Sequence, residues 1–433
     1  MNRFRLTLSV AVLVFPFSLM AQTTTTTTTT TSNSLRSHVA DLFRFGECGE
    51  ALCLQVNAAV HGLHYTPSAQ GATASLINFF TDAIGSSVSN IPISSSSGSV
   101  TFSMLGTEAV KSTVSSGPIF AERARTIGRG RLVGGLNVTS LQYKTFRGLP
   151  LNELEFNFTH QNVGSEVYGE PEFENDIIQV GAKIDLNLLV TTASFTYGLL
   201  DNLDIGVVIP IVHAGMHGTS LATVFPFGAT SPHFFGTDEN RSETSTGTTN
   251  GSSIGLGDVA ARAKLNLTND RKFAIFGDVR LPTGDADEFR GSGAVSVRAL
   301  GVYSTQYRDM SPHANVGVLV RTGDTQKNAF LTTLGFDQLV SESLTFAADL
   351  LAEVQLGDNV LAAPEPVVIT SPFNRSITPT NLPSSKDHVV STALGFKYKS
   401  RNGVTAFLNA LVPVRAGSLQ PAVTWTTGLE INR

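Results

Sequence analysis

No internal run in this 433-residue sequence approaches the roughly 20 consecutive apolar residues that a membrane-spanning helix needs. Charge is scarce as well: 15% of residues are Asp, Glu, Lys or Arg, against 41% hydrophobic. The two shortages together exclude a helical membrane bundle and fit an ordinary soluble domain badly. The formal net charge is −5, so there is no basic excess to bind nucleic acid. Cysteine occurs twice, as Cys48 and Cys53. Two thiols without further ligands make a poor metal site; close together in an exported chain they read as a small-loop disulfide. Tryptophan occurs once, as Trp425, and Tyr 7 times, against 27 Phe. Membrane barrels place Trp and Tyr at their lipid interfaces, so Phe has to carry much of that role here. No convincing Ser–His–Asp or paired-carboxylate set stands out, so neither catalysis nor a cofactor is expected. His160 and His213 are the histidines nearest the strand ends where a barrel enzyme would place its chemistry.

The chain begins with an export signal. Arg3 and Arg5 precede an apolar stretch from Leu6 to Leu19, and Met20-Ala21 is followed by Gln22. Residues 1–21 read as a secretory signal peptide cut after Ala21. Residues 22–34 include nine consecutive threonines, which have no means of burying surface, and read as a flexible leader. In residues 35–98, Val39, Leu42, Phe43 and Phe45 suggest one short helix, and Ala72 to Ile84 another. This segment is expected to fold into the lumen of a barrel as a plug, or else to stand as a small periplasmic domain.

From residue 99 onward the dominant signal is alternation. In 258–267, Val259, Ala261, Ala263, Leu265 and Leu267 fall on one side; Asp258, Arg262, Lys264 and Asn266 fall on the other. That is a strand with one apolar and one polar face. After Asn269-Asp270-Arg271 the pattern resumes, with Phe273, Ile275 and Val279 opposed to Asp278 and Arg280, as in an antiparallel hairpin. Further strands are expected at about 99–105, 131–146, 152–160, 177–199, 203–213, 292–308, 311–321, 328–339, 343–356, 388–399, 403–413 and 421–431. Pro210 lacks an amide donor and belongs at a strand end, an edge or a bulge. Residues 214–253, rich in Gly, Ser and Thr, read as the largest loop. His213 and His217 lie four apart, but Gly-rich surroundings argue against the helix that spacing would need to bind metal.

Tight joins alternate with long ones, the rhythm of bacterial outer-membrane barrels. Counting back from a periplasmic C-terminus, with 99–105 as the first strand, gives about fourteen, an even number as such barrels require. The expected fold is therefore all-β: an antiparallel transmembrane barrel over residues 99–433 in the bacterial outer membrane. A charge facing lipid at mid-depth costs about 2–4 kcal/mol, so the polar alternates face inward. Arg262, Lys264, Asp278, Arg280, Asp349 and Glu353 are the candidate lumen-facing set, either paired with one another or touching a solute. Arg123, Arg125, Arg129 and Arg131 read as lumen charges paired to carboxylates, a solvated loop, or an anion patch. Glu166, Glu170, Glu172, Glu174 and Asp176 read as a soluble acidic loop, or as carboxylates holding divalent cations that bridge lipopolysaccharide.

Four blocks carry a family likeness: Gly117–Arg131 (GPIFAERARTIGRGR), Tyr197–Pro210 (YGLLDNLDIGVVIP), Gly255–Lys264 (GLGDVAARAK) and Leu281–Asp285 (LPTGD). Together they resemble the meta-pathway phenol-degradation family of transporter-like outer-membrane proteins, related to the FadL-type channels for hydrophobic compounds. The likeness spans roughly residues 99–431. The Asn-Pro-Ala signature of the FadL plug is absent; Thr66-Pro67-Ser68-Ala69 is the nearest stretch. The resemblance implies an outer-membrane channel for passive uptake of small hydrophobic or aromatic compounds, in contact with membrane lipid and lipopolysaccharide. The alternative expectation is a structural or adhesive surface barrel without transport activity.

Overall fold

The computed structural model describes residues 34–46, 82–84, 87, 102–105, 108–111, 115–118, 120–159, 175–227, 233–323, 327–358, 365–369, 373–415 and 417–432. The expected disulfide at Cys48 and Cys53, the acidic residues 166–174, His61, His64 and His160 lie outside these residues.

Period-two alternation runs through fourteen strands of one antiparallel sheet. They are β1 (Leu132–Phe146), β2 (Leu154–Thr159), β3 (Ile177–Leu200), β4 (Leu203–Phe225), β5 (Thr244–Leu256), β6 (Ala260–Asn266) and β7 (Phe273–Arg280). β8 (Ser296–Ser304), β9 (Met310–Arg321), β10 (Ala329–Ser341), β11 (Leu344–Gln355), β12 (Val389–Lys399), β13 (Val404–Arg415) and β14 (Leu419–Asn432) complete the set. The two-residue strand Leu149–Pro150 folds back on β1 and brings the sheet to fifteen.

Twelve of the strands close on themselves. β14 pairs with β1, β1 with β3, β3 with β4, and β4 with β6, after which each strand pairs with the next through β14. β2 and β5 belong to the sheet but not to the ring: β2 lies on the start of β3, and β5 on the end of β4. The expected count of about fourteen thus describes the sheet, and twelve the closed wall. Residues 102–105 and 108–111 pair only with each other. β1 is therefore the first wall strand, running up from the short-turn end rather than down as the backward count had it.

Burial along the wall is inverted relative to a soluble sheet. On β6, Arg262, Lys264 and Asn266 are buried while Ala261, Ala263 and Leu265 are exposed. On β7, Phe273, Ile275 and Val279 face out and Asp278 faces in. A closed ring leaves no unpaired wall edge, and an apolar outside matches hydrocarbon; this is the architecture that spans a bilayer with strands. At the short-turn end the outside carries Tyr197, Phe273, Tyr303, Phe336, Phe396 and Tyr398. Phe273 and Tyr303 stack with ring centroids 5.0 Å apart, and Phe346 and Phe396 at 5.3 Å. Phenylalanine supplies half of this aromatic girdle.

β3 and β4 outrun their neighbours at the long-loop end, and there the polarity swaps sides. On β3, Leu189, Phe195, Tyr197 and Leu199 are exposed, whereas higher up the exposed positions are Lys183, Asp185 and Asn187. The inward residues change in step, from Thr192 and Thr196 below to Ile178, Val180, Ile184, Leu186 and Leu188 above. The apolar outer stretch of β3 is about as long as the 9–11 residues a tilted strand needs to cross a membrane. Above it the sheet buries its apolar face inward, as a soluble sheet does. Residues 214–253 are correspondingly not one loop: β4 continues to Phe225 and β5 returns from Thr244. His213 and His217 point outward from β4, exposed.

Against this upper face packs α1 (Leu35–Asp41), opened by a reciprocal Ser34/Ser37 capping box. Leu35, Val39, Leu42, Phe43 and Phe45 join the inward residues of β3 and β4 in one buried cluster. Phe43 meets Phe156 edge-on at 5.0 Å.

Candidate functional site

Three features shape the interior: a segment threaded across the short-turn end, a belt of ion pairs, and a cavity that they border. The threaded segment comprises the described residues 115–118 and 120–131. It joins no strand, so its backbone polar groups need other partners. Inward side chains supply them. Ser116 N donates to Thr345 Oγ1 at 2.9 Å, and Glu122 N to Asn315 Oδ1 at 2.7 Å. Asn315 Nδ2 donates back to Glu122 O at 2.9 Å. Ala124 N donates to Ser304 Oγ at 3.0 Å, Asn266 Nδ2 to Ala124 O at 2.9 Å, and Ile127 N to Asp204 Oδ2 at 3.0 Å. The chain then enters β1 through Gly130, whose N–H donates to Gly198 O at 2.8 Å. Gly198 permits the crossing, since a Cβ there would run into the Gly128 carbonyl. Two of the family-like blocks, Gly117–Arg131 and Tyr197–Pro210, are thus the two halves of one joint.

The six predicted lumen residues are all on the inner face, in three groups. Asp278 stands between Arg262 and Arg298 in the cross-strand register and is bound by Arg298, with Nε at 2.7 Å. Arg280 lies 3.9 Å from the same carboxylate. Lys264 reaches Glu122 of the threaded segment at 3.4 Å and Asp204 at 4.0 Å. Asp349 accepts from His313 Nε2 at 2.7 Å, and Glu353 accepts from Arg321 Nη2 at 2.6 Å. The sequence reading missed Arg298, Arg321, His313 and Asp337. Asp337 is fully buried and is bound by Arg123 and Ser115, both from the threaded segment. Of the four arginines singled out in 123–131, Arg123 is a paired lumen charge and Arg129 is exposed. Burial, with the charges of Arg123 and Arg271, holds Arg125 below its ordinary pKa.

A second joint sits where β5 passes into β6. Gly257, Asp258 and Val259 face only Ile209 and Pro210 on β4, a bulge. The missing amide of Pro210 falls at this irregularity, as expected of a proline in a sheet. Asp258 is turned to the 281–295 loop: it accepts from Gly284 N at 3.0 Å and from Ser292 N and Oγ, both at 2.9 Å. Thr283 Oγ1 donates to Gly257 O at 2.7 Å. The blocks Gly255–Lys264 and Leu281–Asp285 therefore also meet. Phe289 of this loop is buried in the apolar cluster, and Asp287 binds Arg36 of α1 at 2.7 Å. Arg36 also holds Asp82, whose carboxyl burial pushes above the usual range.

The ion pairs border a cavity of about 240 Å³. One side is charged, with Asp278, Arg280, Arg298, Arg321 and Glu353; Leu300, Leu319, Leu331, Leu351 and Leu411 supply apolar lining. The stretch Gly251–Gly255 fits the spacing Gly-x-Ser-x-Gly, but it lies within β5 rather than at the strand-to-helix turn that an esterase nucleophile occupies.

No curated protein sequence matches the chain. Among solved structures, an outer membrane channel from Pseudomonas putida F1 is similar at 10% identity, with 72% of this chain and 98% of that one covered and a TM-score of 0.40. A Pseudomonas aeruginosa FadL homologue is similar at 11% identity, covering 70% and 88%, with a TM-score of 0.31. The Ralstonia pickettii toluene transporter is similar at 11%, covering 71% and 89%, with a TM-score of 0.24. A family profile described as putative MetA-pathway of phenol degradation matches residues 174–412. That stretch is more than half of the chain and contains nine of the twelve wall strands entire, together with both partners of the Asp258 joint, so the protein belongs to this family.

Proposed function

We propose that this protein is a bacterial outer-membrane channel for passive uptake of small hydrophobic or aromatic compounds. The observation that carries the reading is the change of interior along the barrel. At the long-loop end the sheet and α1 enclose a packed apolar cluster; below it the lumen is charged and crossed by the segment that ends at Arg131. Short turns face the periplasm in such barrels, so the apolar cluster is at the cell exterior. An apolar solute gains by entering among these side chains and gains nothing by entering a belt of satisfied ion pairs. Its outlet is accordingly sideways, at the bulge where β5 leaves the ring and the 281–295 loop covers the seam. Residues 1–21 direct export, and residues 35–98 belong with the lumen, where α1 already packs. Lipid and lipopolysaccharide are the outside partners, and the task is transport, not catalysis.

The test has two steps. Cell fractionation with a heat-modifiability gel is expected to show an outer-membrane band that shifts on boiling. Cells expressing the chain are then expected to take up radiolabelled phenol or toluene faster than cells without it. A soluble periplasmic band overturns the barrel. Equal uptake with a correctly folded outer-membrane band overturns the channel and leaves the structural or adhesive barrel.

A further inference from the structure

The cavity is not built for a wholly apolar guest. Its charged side is a row of three arginines contributed by consecutive strands: Arg280 at the end of β7, Arg298 on β8 and Arg321 at the end of β9. The carboxylates lining the cavity are already engaged. Arg298 binds Asp278 and Arg321 binds Glu353. Arg147 grips Asp387 with two hydrogen bonds of 2.8 and 3.0 Å, and Lys264 holds Glu122. Arg280 and Lys327 are the lining cations without a hydrogen-bonded carboxylate among the described residues, and Arg280 is the one in the arginine row. Its nearest carboxylate oxygen, on Asp278, is 3.9 Å away, beyond hydrogen-bond reach, and the side chain is only 12% exposed.

A second polar group points the same way. Tyr143, on β1, lines the cavity; it is 2% exposed, and its hydroxyl has no hydrogen-bond partner among the described residues. A buried hydroxyl without a partner is a cost that a native fold seldom carries without a use. The cavity thus offers a surplus guanidinium, an unused hydroxyl and leucine walls.

We propose that the cavity binds a compact organic carboxylate, with its carboxylate group on Arg280, its apolar body against Leu300, Leu319, Leu331 and Leu351, and the Tyr143 hydroxyl as a further donor. A guanidinium presents a planar fork that matches the two oxygens of a carboxylate. The inference rests on the channel reading and sharpens it: the preferred solute is an acid with an apolar body rather than a neutral hydrocarbon.

The test is calorimetric titration of the purified full chain in detergent with benzoate and with benzamide, its neutral counterpart of similar shape, at pH 7. Benzoate is expected to bind at least about tenfold more tightly, the factor that one charge-assisted hydrogen bond supplies. Arg280→Gln is expected to abolish the preference, Arg280→Lys to keep part of it, and Tyr143→Phe to weaken benzoate. Octanoate in place of benzoate distinguishes an aliphatic from an aromatic body, and binding of either acid by Arg280 supports the proposal. Equal affinity for benzoate and benzamide, binding of neither, or a preference unchanged in Arg280→Gln overturns it. Should Arg280→Gln lose its heat-modifiable band, the wild-type ratio and Tyr143→Phe decide. Uptake of phenol or toluene by cells is read separately, so the channel can stand while the acid-binding cavity falls.

Discussion

The Asp258 joint yields the sharpest prediction. Its carboxylate fastens the 281–295 loop with three hydrogen bonds, from Gly284 N, Ser292 N and Ser292 Oγ. Asp258→Ala removes all three. Hydrogen bonds to a charged group are worth about 1.5–3 kcal/mol each. Here Gly284 and Ser292 are only half-buried and regain water when the loop lifts, so about 1 kcal/mol apiece is the fair net figure. The sum of about 3 kcal/mol corresponds to a loop that opens roughly 150 times more often. Hydrogen exchange read by mass spectrometry on the detergent-solubilised protein is the assay. Peptides from 281–295 are expected to exchange about a hundredfold faster, while those from β8 to β14 keep their protection. Asp285→Asn is the control. It breaks only the Asp285–Arg290 bridge, in which Asp285 is half exposed, and is expected to cost less than about 1 kcal/mol. Unchanged exchange in 281–295 would refute the claim that Asp258 holds the loop. Faster exchange across the whole wall would show that Asp258 supports the barrel rather than its cover.

Ile275→Arg places a charge on the lipid face of β7 and is expected to destabilise by about 2–4 kcal/mol in urea titrations from lipid vesicles. His217→Arg, above the apolar outer stretch, is expected to leave the midpoint unchanged. Asp337→Asn strips the buried partner from Arg123 and is expected to cost about 3–5 kcal/mol; ion conductance in planar bilayers is expected to rise as residues 115–123 loosen. Gly198→Ala pushes against the Gly128 carbonyl and is expected to raise conductance similarly, with the heat-modifiable band retained. Conductance equal to wild type in both variants would refute the account of residues 115–131 as a lumen closure.

The wall was legible because lipid outside and charge inside force a strict alternation, and the boundaries of β6, β7 and β10 to β14 follow from it. Arg262, Lys264, Asp278, Arg280, Asp349 and Glu353 were readable for the same reason, as polar alternates of such strands. Arg298 escapes because the expected strand, 292–308, overruns Ser296–Ser304 at both ends, and Arg321 because it terminates its strand instead of punctuating it. β4 beyond His213 and all of β5 were hidden by composition. The outward residues of β5 from Thr244 to Ser252 are Thr, Asn and Ser, so that stretch offers no apolar stripe and its Gly content mimics a loop. Residues 99–105 carry a genuine strand pattern, but pattern alone does not say which partner a strand takes. The threaded segment has no periodicity to find, because its hydrogen bonds run to side chains of five wall strands and to a backbone carbonyl of a sixth.

The family-like blocks have a physical reason to recur together. Each of the four includes or borders an irregular join of the sheet. Gly117–Arg131 and Tyr197–Pro210 meet where the threaded segment crosses β3 and β4, which needs Gly198 for clearance and Asp204 to satisfy the Ile127 amide. Gly255–Lys264 and Leu281–Asp285 meet where β5 leaves the ring, which needs Asp258 to bind the loop and Gly257 to let Arg290 and Pro210 approach. One joint governs the floor of the lumen and the other governs its side. A barrel whose task ended at being a rigid wall would need neither, since regular pairing satisfies every backbone group on its own. Both joints are places where backbone hydrogen bonding has been handed to particular side chains. That exchange makes a closure separable from the wall, and it is the arrangement a passive channel requires if its floor is to stay shut while its side opens.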